Sequence, residues 1–425
     1  MEIPSQNLRV FLRRKKSNGN EMGFELLTEL LGLPDCFVKD KVITGNKIFL
    51  TVERTGYPIC PRCGQSFLEA PKDSRYQEVE DLSAFGRRCY LRIWKCRIEC
   101  SCGYCGTEYL EWLDRYQRFT VRYSKWIYAF CKRMTGIDVA RIFGISKHTV
   151  YRLDKDGIEK ELAKQDEITP KRVSIDEISR KKGHRYATII SAPDEKKVLE
   201  VVKGRKSTDI TPFFRGKGKV WCKHIAVVTM DAWLAYRKAV QKYCTNAAIC
   251  FDHFHLAQHF SKAIDRLRVQ EAKKGGKEDQ EFYKGTRWLL LKNPEKLKDE
   301  QHETLTTLFK INEKLYKAYV LRDEFRQIFN GPSARSRLVR LTNWKKRART
   351  VHISQITEFV KKIESWEPYI RNALRGNFSN SFAEGLNTKI RVIQRMAYGY
   401  KDFEYLRLKI FQQFNFREIK SLFDG

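Results

Sequence analysis

The chain has 425 residues, and its 82 Lys plus Arg against 51 Asp plus Glu leave a formal net charge of +31. Apolar residues make up 42% and aromatics 12%, enough to build true cores, so a wholly disordered tail protein is excluded. A charge of this size repels itself, and a polyanion such as nucleic acid is the partner that relieves it.

At roughly 150 residues per domain, the length predicts two to four domains. No run of about 18 apolar residues exists, so no membrane span is expected. Arg13-Arg14-Lys15-Lys16 is followed by polar residues rather than an export h-region. Twelve cysteines occur, seven of them from Cys60 to Cys105, and without an export signal such clustering favours zinc over disulfides. A soluble, cytoplasmic protein directed at DNA or RNA is the expectation.

In chain order, residues 1–22 read as a weakly ordered basic N-terminus. Residues 23–112 hold a short apolar segment, Phe24 to Leu33, then short strands around cysteines, including Lys47 to Val52 and Tyr90 to Trp94. Residues 113–168 turn helical, and Pro170 marks a change to strands. Within 169–260, strands are predicted at Val173–Ile178, Tyr186–Ser191, Val198–Val202, Ile225–Met230 and Ala247–Phe251, with a helix between the last two. Residues 261–376 have helical period almost throughout, and 377–425 begin a final long helix near Ser379. Trp288, Trp344 and Trp366 read as core.

Cys60-Pro61-Arg62-Cys63-Gly64 and Cys102-Gly103-Tyr104-Cys105-Gly106 are two CxxCG knuckles with 38 residues between Cys63 and Cys102. Each tight turn brings two thiolates together, and its glycine accepts a positive φ. Cys60, Cys63, Cys102 and Cys105 therefore form a candidate closed Cys₄ site for a structural Zn²⁺. Cys96 and Cys100 are close enough to compete for a place.

Residues 135–153 carry the pattern of a helix-turn-helix. Val139, Phe143, Ile145, Val150 and Leu153 would pack two helices together, with Gly144 in the turn and Ser146 as cap. Lys147, His148, Thr149, Tyr151 and Arg152 would then project toward a DNA groove.

Three carboxylates stand out. Asp176 lies in the first strand of the second half, and Asp231 follows six apolar strand positions, where function collects in open sheets. Glu384 shares a polar helix face with Asn380, Asn387 and Arg391. Each has a plain alternative: an ion pair for Asp176, a helix N-cap for Asp231, and a Ser381-x-x-Glu384 capping box. Glu177 points to the opposite strand face from Asp176.

The blocks Ser174-Ile175-Asp176-Glu177, Lys182-Gly183-His184-Arg185-Tyr186, Val228-Thr229-Met230-Asp231-Ala232-Trp233, Asp252-His253-Phe254-His255, and Ser379 through Asn387 running on to Arg395-Met396-Ala397-Tyr398-Gly399-Tyr400 resemble, in this order, the DDE transposases of bacterial insertion sequences. More narrowly, they resemble the ISL-three group, over about residues 24–415. The resemblance implies a multidomain α/β + α protein: a ribonuclease H-like catalytic core with a helical insertion, preceded by a zinc ribbon and a helix-turn-helix. It implies Asp176, Asp231 and Glu384 as an acidic triad holding Mg²⁺ (or Mn²⁺). His255 matches a C/DxxH position of related cores and would hold a phosphate or steady the triad. The implied activity is hydrolysis at the element's terminal inverted repeats, freeing a 3′-OH, then in-line attack of that 3′-OH on target DNA. Double-stranded DNA at the ends and the target, a homodimer pairing two ends, and a place in the bacterial nucleoid follow from it. The alternative is a DNA-binding regulator derived from a transposase, with an inactive core.

Long DNA needs wide basic surfaces. Ser333 to Thr350 contains Arg335, Arg337, Arg340, Lys345, Lys346, Arg347 and Arg349 and no acid, which makes it a candidate DNA contact.

Overall fold

The computed structural model describes residues 19–67, 74–115, 117–181, 183, 185–378, 380–416 and 418. The reading of 1–18 lies outside these, as do Lys182, His184 and Ser379. The described residues divide into two compact units, with the boundary between Lys160 and Glu161.

The first unit opens with α1 (Gly19–Leu31), which begins inside the stretch expected to be weakly ordered. Strands β1 (Cys36–Thr44), β2 (Lys47–Arg54), β3 (Ser74–Ala84), β4 (Arg87–Glu99) and β5 (Cys105–Thr107) form a five-stranded sheet in the order β1-β2-β4-β3, with β5 paired to β4. These strands are longer than the short ones expected. Along β4, Cys89, Leu91 and Ile93 turn inward, while Tyr90, Arg92 and Trp94 turn away. That alternation buries one face against Val38, Leu50, Val52 and Trp112. Three helices follow: α2 (Val121–Cys131), α3 (Gly136–Phe143) and α4 (Lys147–Ala163). Their core is Ile127, Val139, Val150 and Leu153, as the apolar spacing required.

Gly157 sits inside α4 against the Tyr128 ring, and an added methyl would overlap that ring. Alanine favours a helix over glycine by about 1 kcal/mol, but overpacking costs roughly 1–3 kcal/mol. Gly157→Ala is therefore expected to lower the urea midpoint; a raised midpoint would show that the ring moves aside freely.

The second unit contains β6 (Arg172–Lys181), β7 (Arg185–Ala192), β8 (Lys197–Lys203), β9 (Val227–Met230) and β10 (Ala248–Phe251), in the order β10-β9-β6-β7-β8. β6, β9 and β10 run parallel, and the hairpin strands β7 and β8 are antiparallel. On one face, α5 (Ser207–His224, kinked at Gly218) and α6 (Leu234–Tyr243) cover Val173, Ile175, Ile190 and Val228. The opposite face, with Ile178, Ala187 and Ile189, is covered by α14 (Ser381–Met396) and α15 (Phe403–Asn415). The single long C-terminal helix expected is thus two helices, interrupted where Tyr398 and Gly399 take positive φ. The boundary also falls earlier than Pro170: the last turn of α4 carries Leu162 into the second of these cores.

In sequence, the sheet and the C-terminal helices are separated by a helical bundle of α7 (His253–Ala272), α8 (Lys277–Gly285), α9 (Arg287–Leu291), α10 (Asp299–Ile311), α11 (Glu313–Ile328), α12 (Ala334–Thr350) and α13 (Ser354–Gly376). Phe260, Phe325, Trp344 and Phe359 form its aromatic centre, with Phe260 and Phe359 stacked at 4.4 Å. α13 returns to the sheet, where Tyr369 meets Phe251 at 4.7 Å. Trp288, expected in the core, is 70% exposed.

Candidate functional site

Because β6 and β9 are parallel neighbours with Ile175 opposite Met230, Asp176, midway along β6, comes level with Asp231, which directly follows the end of β9. Alternation on β6 puts Asp176 on the face with Ile178, toward α14, and Glu177 on the other. Asp231 does not cap α6, whose N-cap is Trp233. One oxygen of Asp176, one of Asp231 and a ring nitrogen of His255 lie within 4.8 Å of one another. His255 Nε2 is 2.9 Å from Asp231 Oδ1 and 3.9 Å from Asp252 Oδ2. Asp252 caps α7, accepting from the Phe254 N–H at 3.3 Å.

Burial pushes the Asp176 carboxyl up to about 7, and the Asp231 charge adds to the rise. Burial works against the charged form of His255, but Asp231, then Asp252 and Asp176, outweigh it and hold the imidazole at about 9. Burial and the neighbouring acids thus favour a proton on Asp176 and a charged imidazole on His255. Oδ2 of Asp252 and Oδ1 of Asn387 are buried without a hydrogen-bond partner.

Asn387 was legible as part of a polar face but was given no task. Its Nδ2 donates to Asp176 Oδ2 at 2.8 Å. Two turns before it, at the N-cap of α14, Asn380 Oδ1 accepts from Ser174 of β6 and from Thr229 of β9, the latter at 3.3 Å. Asn380, not Ser381, precedes the helix as its N-cap residue, so the capping-box alternative is not what places Glu384. Glu384 itself is exposed and stands outside the group around Asp176 and Asp231.

The cysteines assemble with one exchange. Cys60, Cys63, Cys100 and Cys102 have all four Sγ within 4.8 Å, with Cys63–Cys100 at 3.4 Å and Cys60–Cys102 at 3.8 Å. Cys100 takes the place expected for Cys105. The second turn is CxC: Gly103 (φ 81°) donates to Cys100 O at 2.9 Å, and the Cys100 N–H donates to Tyr104 O at 2.8 Å. Cys105 already begins β5 opposite Glu99, with an exposed thiol 3.6 Å from Arg97 Nη2. Tetrahedral thiolates at about 2.3 Å from zinc sit about 3.8 Å apart, so this set of four could hold zinc.

In the helix-turn-helix, Gly144 (φ 62°) ends α3 and Ser146 Oγ accepts from the Thr149 N–H at 3.1 Å. Lys147, His148 and Arg152 are exposed. Thr149 is half-buried and bonded to Ser146, and Tyr151 lies against Gly136 instead of projecting freely.

The basic run is mostly committed inside the bundle, contrary to the expectation of unpaired charges. Arg337 is buried and donates to the carbonyls of Leu374 (2.7 Å) and Gly331 (2.9 Å). Lys345 pairs with Glu367 at 2.5 Å, Arg347 with Glu324, and Arg349 with Glu364. Arg340 donates to Gln327 O at 2.9 Å. Acids absent from the run itself reach it from α11 and α13. Among the described residues, Arg335 and Lys346 are left exposed without an ion pair.

A helix-turn-helix ahead of an α/β unit with converging acids defines a DNA-processing enzyme. A family model described as "Transposase" matches residues 173–410, and one described as "Helix-turn-helix domain of transposase family ISL3" matches residues 108–158. The chain is 31% identical over 356 residues to the transposase for insertion sequence element IS1001 of Bordetella parapertussis, covering 83% of this chain and 87% of that protein. It is 25% identical over 372 residues to the transposase for insertion sequence element IS1557 of Mycobacterium tuberculosis, covering 80% and 82%. The chain belongs to the ISL3 family of transposases and is a DNA-binding transposase. No helix among its described residues is long and apolar enough to cross a membrane.

Proposed function

We propose that this transposase binds the terminal inverted repeats of its element as double-stranded DNA, hydrolyses a phosphodiester at each end, and joins the freed 3′-OH to target DNA. The observation carrying this reading is the convergence of Asp176, Asp231 and His255 beside the end of β9. Helices on both faces of the mixed sheet, with the acids at its carboxyl edge, support a ribonuclease H-like core.

Close carboxylates with unsatisfied buried oxygens nearby fit a hard divalent cation, Mg²⁺ (or Mn²⁺). Asp176 and Asp231 would hold it, and Glu384, on the helix that carries Asn380 and Asn387, is the third ligand we assign. When bound, the cation polarises the scissile phosphate and favours ionisation of the attacking water. Asn387 orients Asp176, and His255, charged below about 9, steadies Asp231 and offers a positive charge to a phosphate oxygen. In the second step the 3′-OH oxygen attacks a target phosphorus and displaces that strand's own 3′ oxygen, so no protein nucleophile is required.

Cys60, Cys63, Cys100 and Cys102 would hold one structural Zn²⁺. Lys147, His148, Thr149 and Arg152 would reach a DNA groove, with Arg335 and Lys346 as further phosphate contacts. Pairing two ends calls for a homodimer, acting on DNA in the nucleoid. The test is cleavage, with Mg²⁺, of a DNA fragment carrying the gene and its native flanks. Paired cuts at inverted ends support the reading; specific binding without cutting favours a regulator with an inactive core.

The pH dependence has a definite sign. Below about 7 Asp176 keeps its proton, and a cation at the pair must displace it. Mn²⁺ affinity should therefore fall from about pH 8 to about pH 6, approaching tenfold per unit in the acid part of the range. Titration followed by the electron-spin signal of free Mn²⁺ measures this, and a flat profile would remove Asp176 from the ligand set.

A further inference from the structure

On the strand face opposite Asp176, Glu177 receives Arg205 Nη1 at 3.3 Å to each carboxylate oxygen. The Arg205 guanidinium lies 4.0 Å from the Tyr186 ring centre and 4.7 Å from that of Trp233. Trp233 returns a bond, its Nε1–H donating to Arg205 O at 3.1 Å. Tyr186, Gly204, Arg205, Lys206, Trp233 and Ala235 line a cavity of about 430 Å³ here. Trp233 follows Asp231 by two residues, yet 42% of it remains exposed.

We infer that this cavity holds an unpaired nucleobase of the DNA strand being cut, stacked on Trp233. The inference rests on the reading of Asp176 and Asp231 as the cutting centre. A phosphate pocket would present free positive charge, but Glu177 neutralises Arg205 and Asp209 also lines the cavity, which leaves the exposed part of the Trp233 ring, away from Arg205, as the main recognition element. Aromatic faces accept any base, because every base has a π-face. Exposed Lys206 at the rim suits the backbone phosphate of the same nucleotide. Sequence keeps the platform close to the acids: Trp233 follows Asp231 by two residues, and Glu177 adjoins Asp176. Stacking here offsets the unpairing that brings a phosphodiester of duplex DNA to the acids.

The full chain, without divalent metal, is titrated with a short dT oligomer bearing one 2-aminopurine. Wild type should quench the fluorescence on binding. Trp233→Leu, which keeps apolar bulk without a π-face, should lose most of the quench, and Trp233→Phe should keep it. In cleavage assays, Trp233→Leu should slow cutting of a fully paired end about tenfold or more, and cut an end already unpaired at the scissile bond at nearly the wild-type rate. An unchanged quench in Trp233→Leu, or equal slowing on both ends, overturns the inference. A wild-type chain that cuts neither duplex overturns the cutting centre alone, and the quench still decides the cavity.

Discussion

Asp231→Asn should bind its DNA as tightly as wild type and cut it at least about a hundred- to a thousandfold more slowly, the scale of losing one preorganised charge at a reacting centre. Asparagine keeps the volume and removes the charge, so the strand end is not disturbed. The DNA-reading helices lie in the other compact unit, which the substitution does not touch. Two side effects identify the cause. Asp231 is one of the groups holding Asp176 up to about 7, so the Asp176 carboxyl should fall back toward ordinary values. His255 loses its foremost stabilising partner and should drop from about 9. Gel shift, cleavage of a labelled fragment and NMR titration of His255 measure these separately. Full-rate cutting by the variant would sink the assignment of Asp231.

The cysteine exchange predicts an equally large effect. Purified protein should carry about one tightly bound zinc per chain; Cys100→Ser should lose it, and Cys105→Ser should retain it. The apolar cluster there has only Cys60, Ile98 and Cys100 buried, with Phe67, Cys102 and Tyr104 packed against it. Among the described residues so little apolar burial would not order these two turns alone, and a bound zinc would supply the difference, about 10–16 kcal/mol in small zinc modules. Chelation should therefore unlock the turns and weaken binding to the element's ends while the second unit stays folded. Metal analysis of both variants decides the point. Zinc lost on Cys105→Ser and kept on Cys100→Ser would restore the CxxC reading.

Elements with a strong local period were legible from the residues. Val173 and Ile175 share one strand face and Ile178 takes the other, and Val139 to Leu153 repeat the spacing of two packed helices, so both elements were legible. Asp176 and Asp231, which the structure brings together, stood out because an acid is out of pattern within one strand and directly after the apolar run of another. What escaped was non-local. Cys100 rather than Cys105 closes the thiol cluster because β4 and β5 pair at Glu99 and Cys105, a register that spacing cannot reveal. The basic run looked unpaired because Glu324, Glu364 and Glu367 come from helices either side of it in the sequence. Glu384 was singled out by its block, whereas the α14 side chain that touches Asp176 is Asn387. An asparagine carries no charge to attract notice until its partner, 211 positions away, is known.

That separation sets an order of events during synthesis. Asp176 and Asp231 emerge from the ribosome early, but Asn380 and Asn387, which tie α14 to the ends of β6 and β9, follow only after the whole bundle from α7 to α13. Until then the two acids lack the helix that orients them. On the proposed reading of these acids as the cutting centre, a growing chain that has exposed its helix-turn-helix would grip DNA while that centre is still unassembled, a binder before it is a nuclease.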